Sequence, residues 1–309
     1  MKKNKLLLTI SILALLIAIL FLPPSIMERN NTITVACPTT AVTRYITSLE
    51  RWNDWMPGNQ VGDSIWKIGD KDFRINTVLL NGFQALSTDQ KVLIDLQFVP
   101  AANKQTTFTL RTQYALTFNP IKRILAWITG GDIRNLNDHI LNSLCRDFFS
   151  DPKRVYGMEI QKGKVTNFSW ISTKASFTHY PSTEEVYAQI DALEAYIKAQ
   201  KAEAKGETIL HVQQLSPSVY DLMVAIPTDR DLPSTSRFQL KNMILGSLLS
   251  ATITGGPEKV RIAEQELENY VKDQQLVSPA IPFQSLVTDR RKVADSTQWI
   301  SKVNYPIFN

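Results

Sequence analysis

The chain reads as an α+β protein, two globular units behind an apolar N-terminal segment, and three observations predict this. Period-two stretches separated by turn residues recur over 64–118, and further ones flank two helical stretches in 165–308. Ile133, Leu136, Ile140, Leu141, Leu144 and Phe148 recur at helical spacing. An internal repeat, LEAYIKAQK at 193–201 and LENYVKDQQ at 267–275, agrees at Leu193/Leu267, Glu194/Glu268, Tyr196/Tyr270, Lys198/Lys272 and Gln200/Gln274. A length of 309 residues suits two domains of roughly 150 residues each.

The first segment carries a localisation signal. Lys2, Lys3 and Lys5 precede the uncharged run 6–22, and Pro23-Pro24 ends it. At 1.5 Å per residue such a helix spans roughly 25 Å, near the lower limit for crossing a bilayer. No small-x-small cleavage site follows Leu22 closely. The expectation is an uncleaved single-pass anchor over 6–22. Its basic end would face the cytoplasm, and the remainder would be extracytoplasmic (periplasmic). Residues 1–31 are thus read as stub, anchor and linker.

The first globular unit is expected over 32–153. Thr32-Ile33-Thr34-Val35-Ala36 alternates like a strand, and 41–49 reads as a helix entering RWNDWMPG. Strands are expected at 64–68, 73–80, 91–99 and 105–118, divided by Gly69-Asp70-Lys71-Asp72, Asn81-Gly82 and Pro100-Ala101-Ala102-Asn103. A helix over 133–149 stops at Asp151-Pro152. Its apolar stripe has to pack on the sheet. Trp52, Trp55, Trp66, Phe73, Phe83, Phe98 and Trp127 are read as core.

The second unit is expected over 154–309. Ser182-Thr183-Glu184-Glu185 has capping-box spacing, and Pro257 after Gly255-Gly256 fits the first position of a second helix. Val186, Ile190, Leu193 and Ile197 share one face; Val260, Leu267 and Val271 fall at the same offsets, with Glu264 in the place of Ile190. This predicts a duplicated strand–helix–strand–strand module with a groove between its helices, a natural concave site.

Composition names no partner. Apolar residues at 44% and charged residues at 20% argue against wholesale disorder. The net charge is +5, but the densest basic run, Arg290-Arg291-Lys292 after Asp289, reads as a solvated turn. No nucleic-acid partner is expected. Cys37 and Cys145 are too few for a disulfide framework, and no Cys/His spacing suggests a metal. They are read as buried, inert thiols, with no metal or cofactor expected. His139, His179 and His211 are scattered, and the catalytic residues remain unknown.

Two resemblances follow from these stretches. TVACPTTAVTRYITSLERWNDWMPG, LRTQYALTFNPIKRILAWI and the helix after them resemble the START-like superfamily of polyketide cyclases and lipid-transport proteins (SRPBCC). That implies a helix-grip fold, often around an apolar cavity, with catalytic residues that vary among members. HYPSTEEVYAQIDALEAYI, VAIP, GGPEKVRIAEQELENYV, PFQSLVTDR and DSTQWISKVNYPIF resemble the GyrI-like effector-binding domain. That implies a pseudo-twofold fold whose groove binds small, often lipophilic or cationic molecules. Many members carry a glutamate in Trp-x-Thr-Glu; here the stretch is Trp299-Ile300-Ser301-Lys302, with lysine in its place. An inward Lys302 favours an anionic or neutral ligand. The expected ligand-binding residues are Trp299, Lys302 and Tyr305, with Tyr196 and Tyr270 from the repeat. The function expected is membrane-anchored binding of a small lipophilic or anionic ligand. The alternative is a hydrolase or cyclase acting on a small lipophilic substrate.

Overall fold

The computed structural model describes residues 2–20, 25–117, 119–129, 131–165, 169–243 and 246–308. The chain divides into two compact units, Met1–Asp151 and Pro152–Asn309. Each is an α+β arrangement on one antiparallel sheet.

In the first unit, helix α1 (Lys2–Leu20) precedes strand β1 (Ile26–Val35), then α2 (Thr39–Ile46) and α3 (Trp52–Trp55). Strands β2 (Asn59–Gly62), β3 (Ile65–Ile68), β4 (Lys71–Leu79), β5 (Gly82–Ser87), β6 (Val92–Ala101) and β7 (Gln105–Ala115) follow. Helices α4 (Pro120–Thr129) and α5 (Gly131–Leu141) come last, and α5 runs on as a π-helical segment, Asn142–Phe148. The sheet order is β1-β7-β6-β5-β4-β3-β2.

Alternation decides which side is filled. Val92, Ile94, Leu96 and Phe98 of β6 and Phe108 and Leu110 of β7 are buried. Against them lie aromatic rings: Trp52 sits 4.5 Å from Phe83 and 5.4 Å from Trp55, and Phe149 stacks 5.7 Å from Phe108. The indoles of Trp52 and Trp66 donate to the Ile46 and Pro57 carbonyls, both at 2.9 Å, so their burial leaves no donor unmet. Trp127, read from sequence as core, is instead 60% exposed on α4. The helix α4 itself went unassigned in the sequence because Asn119-Pro120 reads as a stop.

The sequence reading also passed over strand β5 and began β1 too late. Strand β5 pairs with β4 and β6, yet GFQALS carries no β-branched residue to announce it. Its first residue must be glycine: a Cβ on Gly82 would stand 2.0 Å from the Leu96 carbonyl oxygen. Strand β1 begins at Ile26, inside the stretch read as linker, and pairs with β7 from Ile26↔Ala115 to Val35↔Thr106. Its polar residues are cross-strand partners; Arg111 and Gln113 donate to the Glu28 carboxylate at 2.8 and 2.9 Å.

The expected anchor is corrected. Among the described residues no helix is long and apolar enough to cross a membrane. The membrane partner over 6–22 and the extracytoplasmic placement fall with it. The physical reason lies in α1, which opens on Lys2, Lys3 and Lys5. Among the described residues its uncharged part is 6–20, which spans roughly 22 Å against a hydrocarbon core of about 30 Å. Residues 21 and 22 of the expected span lie outside the described residues.

The second unit opens with α6 (Pro152–Tyr156), β8 (Gln161–Lys164) and β9 (Ser169–Phe177). Helix α7 (Thr183–Ala199), β10 (Thr208–Ser216), β11 (Val219–Pro227), β12 (Gln239–Asn242) and β13 (Ser247–Thr254) follow. Helix α8 (Pro257–Asp273), β14 (Phe283–Leu286) and β15 (Ile300–Ile307) complete it. The sheet order is β12-β9-β11-β10-β14-β15-β13-β8. The terminal strand β15 is paired on both sides, with β13 and β14.

Both helices cover the same sheet face. Val186, Ile190, Leu193 and Ile197 of α7 pack on Leu210, Leu222 and Val224; Val260, Leu267 and Val271 of α8 pack on Leu249, Ala251 and Val303. The register places Leu210 opposite Gln284 and Gln284 opposite Val303, so these residues share one side. On the other side Trp170, Ile209, Ala225 and Phe283 form a separate cluster.

Candidate functional site

The groove in the second unit is built at the N-terminal ends of its helices. Ser182 starts α7: its hydroxyl accepts from the Glu185 N–H at 3.2 Å, and the Glu185 carboxylate accepts from the Ser182 N–H at 2.8 Å. Gly256 precedes α8 without any side-chain cap. The connection from β14 to β15, residues 287–299, passes beside both. Its base is closed by Thr288 Oγ1, which accepts from the Ile300 N–H at 2.9 Å. Asp295 accepts from the Thr297 N–H and hydroxyl at 2.9 and 2.7 Å, fixing the turn before Trp299. The Trp299 indole donates to the Val293 carbonyl at 2.7 Å, and the Gly255 N–H donates to the Trp299 carbonyl at 2.8 Å.

Two lobes result. The smaller, about 330 Å³, is walled by Tyr180, Val186, Leu210 and Pro257; the larger, about 640 Å³, by Glu184, Tyr187, Asp191 and Ala294. Thr183, Arg290, Ser296 and Trp299 line both. These volumes fall in the range of small-molecule sites, roughly 300–1,000 Å³.

The charges along this connection divide sharply. Arg291 is half-exposed and donates to Asp191 at 2.9 Å and to Asp289 at 3.2 Å, with its guanidinium 4.2 Å from the centre of the Tyr187 ring. Lys292 reaches Asp289 as well, at 3.4 Å. The Arg291 side chain first, then its N–H and the Tyr187 hydroxyl, hold the Asp289 carboxyl down at about 2. Arg290 turns the other way and is only 8% exposed. Its N–H donates to the Tyr187 hydroxyl at 2.7 Å, its Nη2 donates to Ser301 Oγ at 3.1 Å, and its guanidinium lies 4.9 Å over the Trp299 ring. Among the described residues no carboxylate lies within ion-pair distance of it. Burial lowers its pKa from the ordinary arginine value. Burial likewise raises Tyr180 and Tyr187. Glu264 on α8 is also pushed up by burial, with Gln284 hydrogen-bonding against that shift, and its charge is felt at Tyr180.

Of the residues named from sequence, Trp299 lines this groove and the others lie elsewhere. Tyr196 and Tyr270 occupy the last turns of their helices, away from the N-terminal ends. The Tyr196 hydroxyl donates to the Pro233 carbonyl at 2.6 Å, and its ring stacks 4.7 Å from Phe238. Tyr270 meets Tyr156 edge-to-face at 5.1 Å, and Tyr305 packs with it on the α8 core. Lys302 sits opposite Ser285, which is opposite Ile209, so it belongs to the sheet face away from the helices. There it pairs with Glu207.

Sequence reasoning passed over Arg290 as part of a solvated turn. One signal was present: Asp289-Arg290-Arg291-Lys292 offers one acid to three bases, so a cation is left over. Among the described residues no group of His, Cys, Asp and Glu is placed to hold a metal ion. Cys37 and Cys145 are buried and not joined by a disulfide, and burial pushes the Cys145 thiol up to about 12.

No protein-family model and no curated protein sequence matches the chain. Among solved structures, it is similar to the EcmrR C-terminal domain at 12% identity and a TM-score of 0.41, over 48% of this chain and 97% of that one. It is similar to EcmrR in a complex with DNA at 13% identity and a TM-score of 0.44, over 62% and 73% of the two chains. SAV2435 bound to tetraphenylphosphonium is similar at 15% identity and a TM-score of 0.31, over 48% and 94%. Because a DNA complex stands among these structures, the expectation that nucleic acid is not a partner is corrected and withdrawn.

Proposed function

We propose that the second unit is a GyrI-like effector-binding domain whose groove at the helix N-termini binds a small, partly apolar molecule. The observation that carries this is the pair of lobes sharing Trp299 and a buried Arg290. Apolar walls with a few convergent polar groups are the usual make-up of such sites. The topology supports the duplication. Exchanging β8 with β12, β9 with β13, β10 with β14 and β11 with β15 turns the strand order into its own reverse. The first unit, on the same reading, is a helix-grip START-like domain. Its seven-stranded sheet with a terminal helical segment supports that assignment, and the rings of Trp52, Trp55, Phe83 and Phe108 that fill it argue for a structural part. The proposed domains are 32–153, extended back to β1, and 154–309.

The test is native mass spectrometry of the purified chain, joined to thermal shift with aromatic acids, neutral aromatics and aromatic cations. A co-purifying molecule, or a shift that disappears in Trp299→Ala, is the expected result. No shift with any member of the panel, and no co-purifying molecule, overturns the reading. A hydrolase or cyclase is the second reading, and the half-buried Glu264, its carboxyl shifted upward by burial and its charge felt at Tyr180, favours it, since a carboxyl raised in this way suits a general acid. It requires turnover that Glu264→Gln removes.

A further inference from the structure

We infer that the groove selects a flat aromatic monocarboxylate, its charge received by Arg290 and its ring packed among Trp299 and Tyr180; this rests on the reading of the groove as a ligand site. A guanidinium has five N–H donors, and Ser301 Oγ takes one from the Arg290 side chain. A buried charge with no counter-ion is costly, several kcal/mol per ion even after relaxation. Here the acids are not lacking. Asp289 and Asp191 stand beside the site but are engaged by Arg291 and Lys292. Arg290 therefore presents an unneutralised charge and a planar donor fork in a walled cavity, the arrangement that suits bidentate carboxylate binding.

The lobes are not equivalent. Glu184 and Asp191 belong to the larger one, whereas among the described residues the wall of the smaller contains no acidic residue. Pro257, the first residue of α8, lines the smaller lobe, and no side chain caps that helix. The positive end of the helix dipole adds to Arg290 there. The anionic group is thus directed into the smaller lobe, while the body extends past Trp299. One uncompensated cation matches one negative charge, so a monoanion fits better than a phosphate dianion. Val186 and Leu210 supply the apolar floor, and Tyr180 and Trp299 the aromatic edges.

The experiment is isothermal titration of the full chain with 2-naphthoate, its neutral isostere 2-naphthamide, 2-naphthyl phosphate and a naphthyl trimethylammonium cation. The carboxylate should bind about tenfold or more tightly than the amide, and more tightly than the phosphate. Arg290→Gln should erase the preference, Arg290→Lys should keep part of it, and Trp299→Ala should weaken acid and amide alike. Equal binding of acid and amide, lost in Trp299→Ala, overturns the carboxylate assignment and leaves the groove reading standing. Tighter binding of the phosphate or the cation overturns it in the same way. No binding of any of the four overturns both. If circular dichroism shows Arg290→Gln unfolded, the ratio of acid to amide in the unaltered chain and in Arg290→Lys decides.

Discussion

Arg290 holds its guanidinium 4.9 Å over the Trp299 ring, while its neighbour Arg291 directs its own to Asp191 and Asp289. Adjacent arginines thus do different work: Arg291 ties the connection to α7, and Arg290 charges the groove. The first contact is measurable without any ligand. A double-mutant cycle of Arg290→Gln and Trp299→Ala, followed by urea unfolding, should give a coupling of about 0.5–2 kcal/mol, as expected for a partly desolvated cation over an indole. Strictly additive effects would show that the two residues do not sense each other.

Lys302 should be silent in binding. It lies on the sheet face opposite the helices, half-exposed and paired with a half-exposed Glu207. Lys302→Met should change stability by less than about 1 kcal/mol, since such pairs are worth little in water. It should leave naphthoate binding unchanged in titration. A large loss of affinity would place the ligand on the other face of the sheet.

How much of this was legible in the residues follows from local signals. The α+β class, α7 with its Ser182/Glu185 cap and α8 behind Pro257 were readable because caps and 3.6-residue periodicity are local. The face of β15 was not. Ser301, Val303 and Tyr305 form one row, Ile300, Lys302 and Asn304 the other, and each row mixes apolar with polar residues. Only the pairing with β14 settles which row meets the helices. Arg290 was hidden for a related reason. Exposure is decided by where Asp191, distant in sequence, meets the connection, and that contact claims Arg291. Residues 26–31 of strand β1 were missed because their pairing rests on cross-strand partners on β7, Arg111 and Gln113, that their own composition does not reveal.

The two thiols should be unreactive in the folded chain. Cys37 and Cys145 are 3% and 1% exposed, and burial pushes Cys145 up to about 12, far from thiolate at neutral pH. Ellman's reagent at about pH 8 should label neither in native buffer and both in denaturant. Rapid native labelling would mean that the core around the π-helical segment opens readily.

Glu264 supplies a pH dependence of definite sign. Burial raises its folded-state pKa above the ordinary 4.5, so the folded chain holds this proton where the unfolded chain has released it. Its contribution to stability is therefore complete below about pH 4.5, declines as pH rises from 4.5 through the folded value, and is level above that. Asp289, depressed to about 2 by Arg291, acts in the opposite sense: its contribution is present above its ordinary 3.8 and is lost as pH falls towards 2, so the windows do not overlap. Glu264→Gln keeps the size and a neutral polar end that can still meet Gln284, and removes only the titration. The variant should gain stability on the unaltered chain as pH rises above 4.5, and the gain should then flatten. Urea unfolding from roughly pH 4 to pH 8 measures it. A stability difference that stays constant over that range would mean that burial does not raise the Glu264 carboxyl in the folded chain.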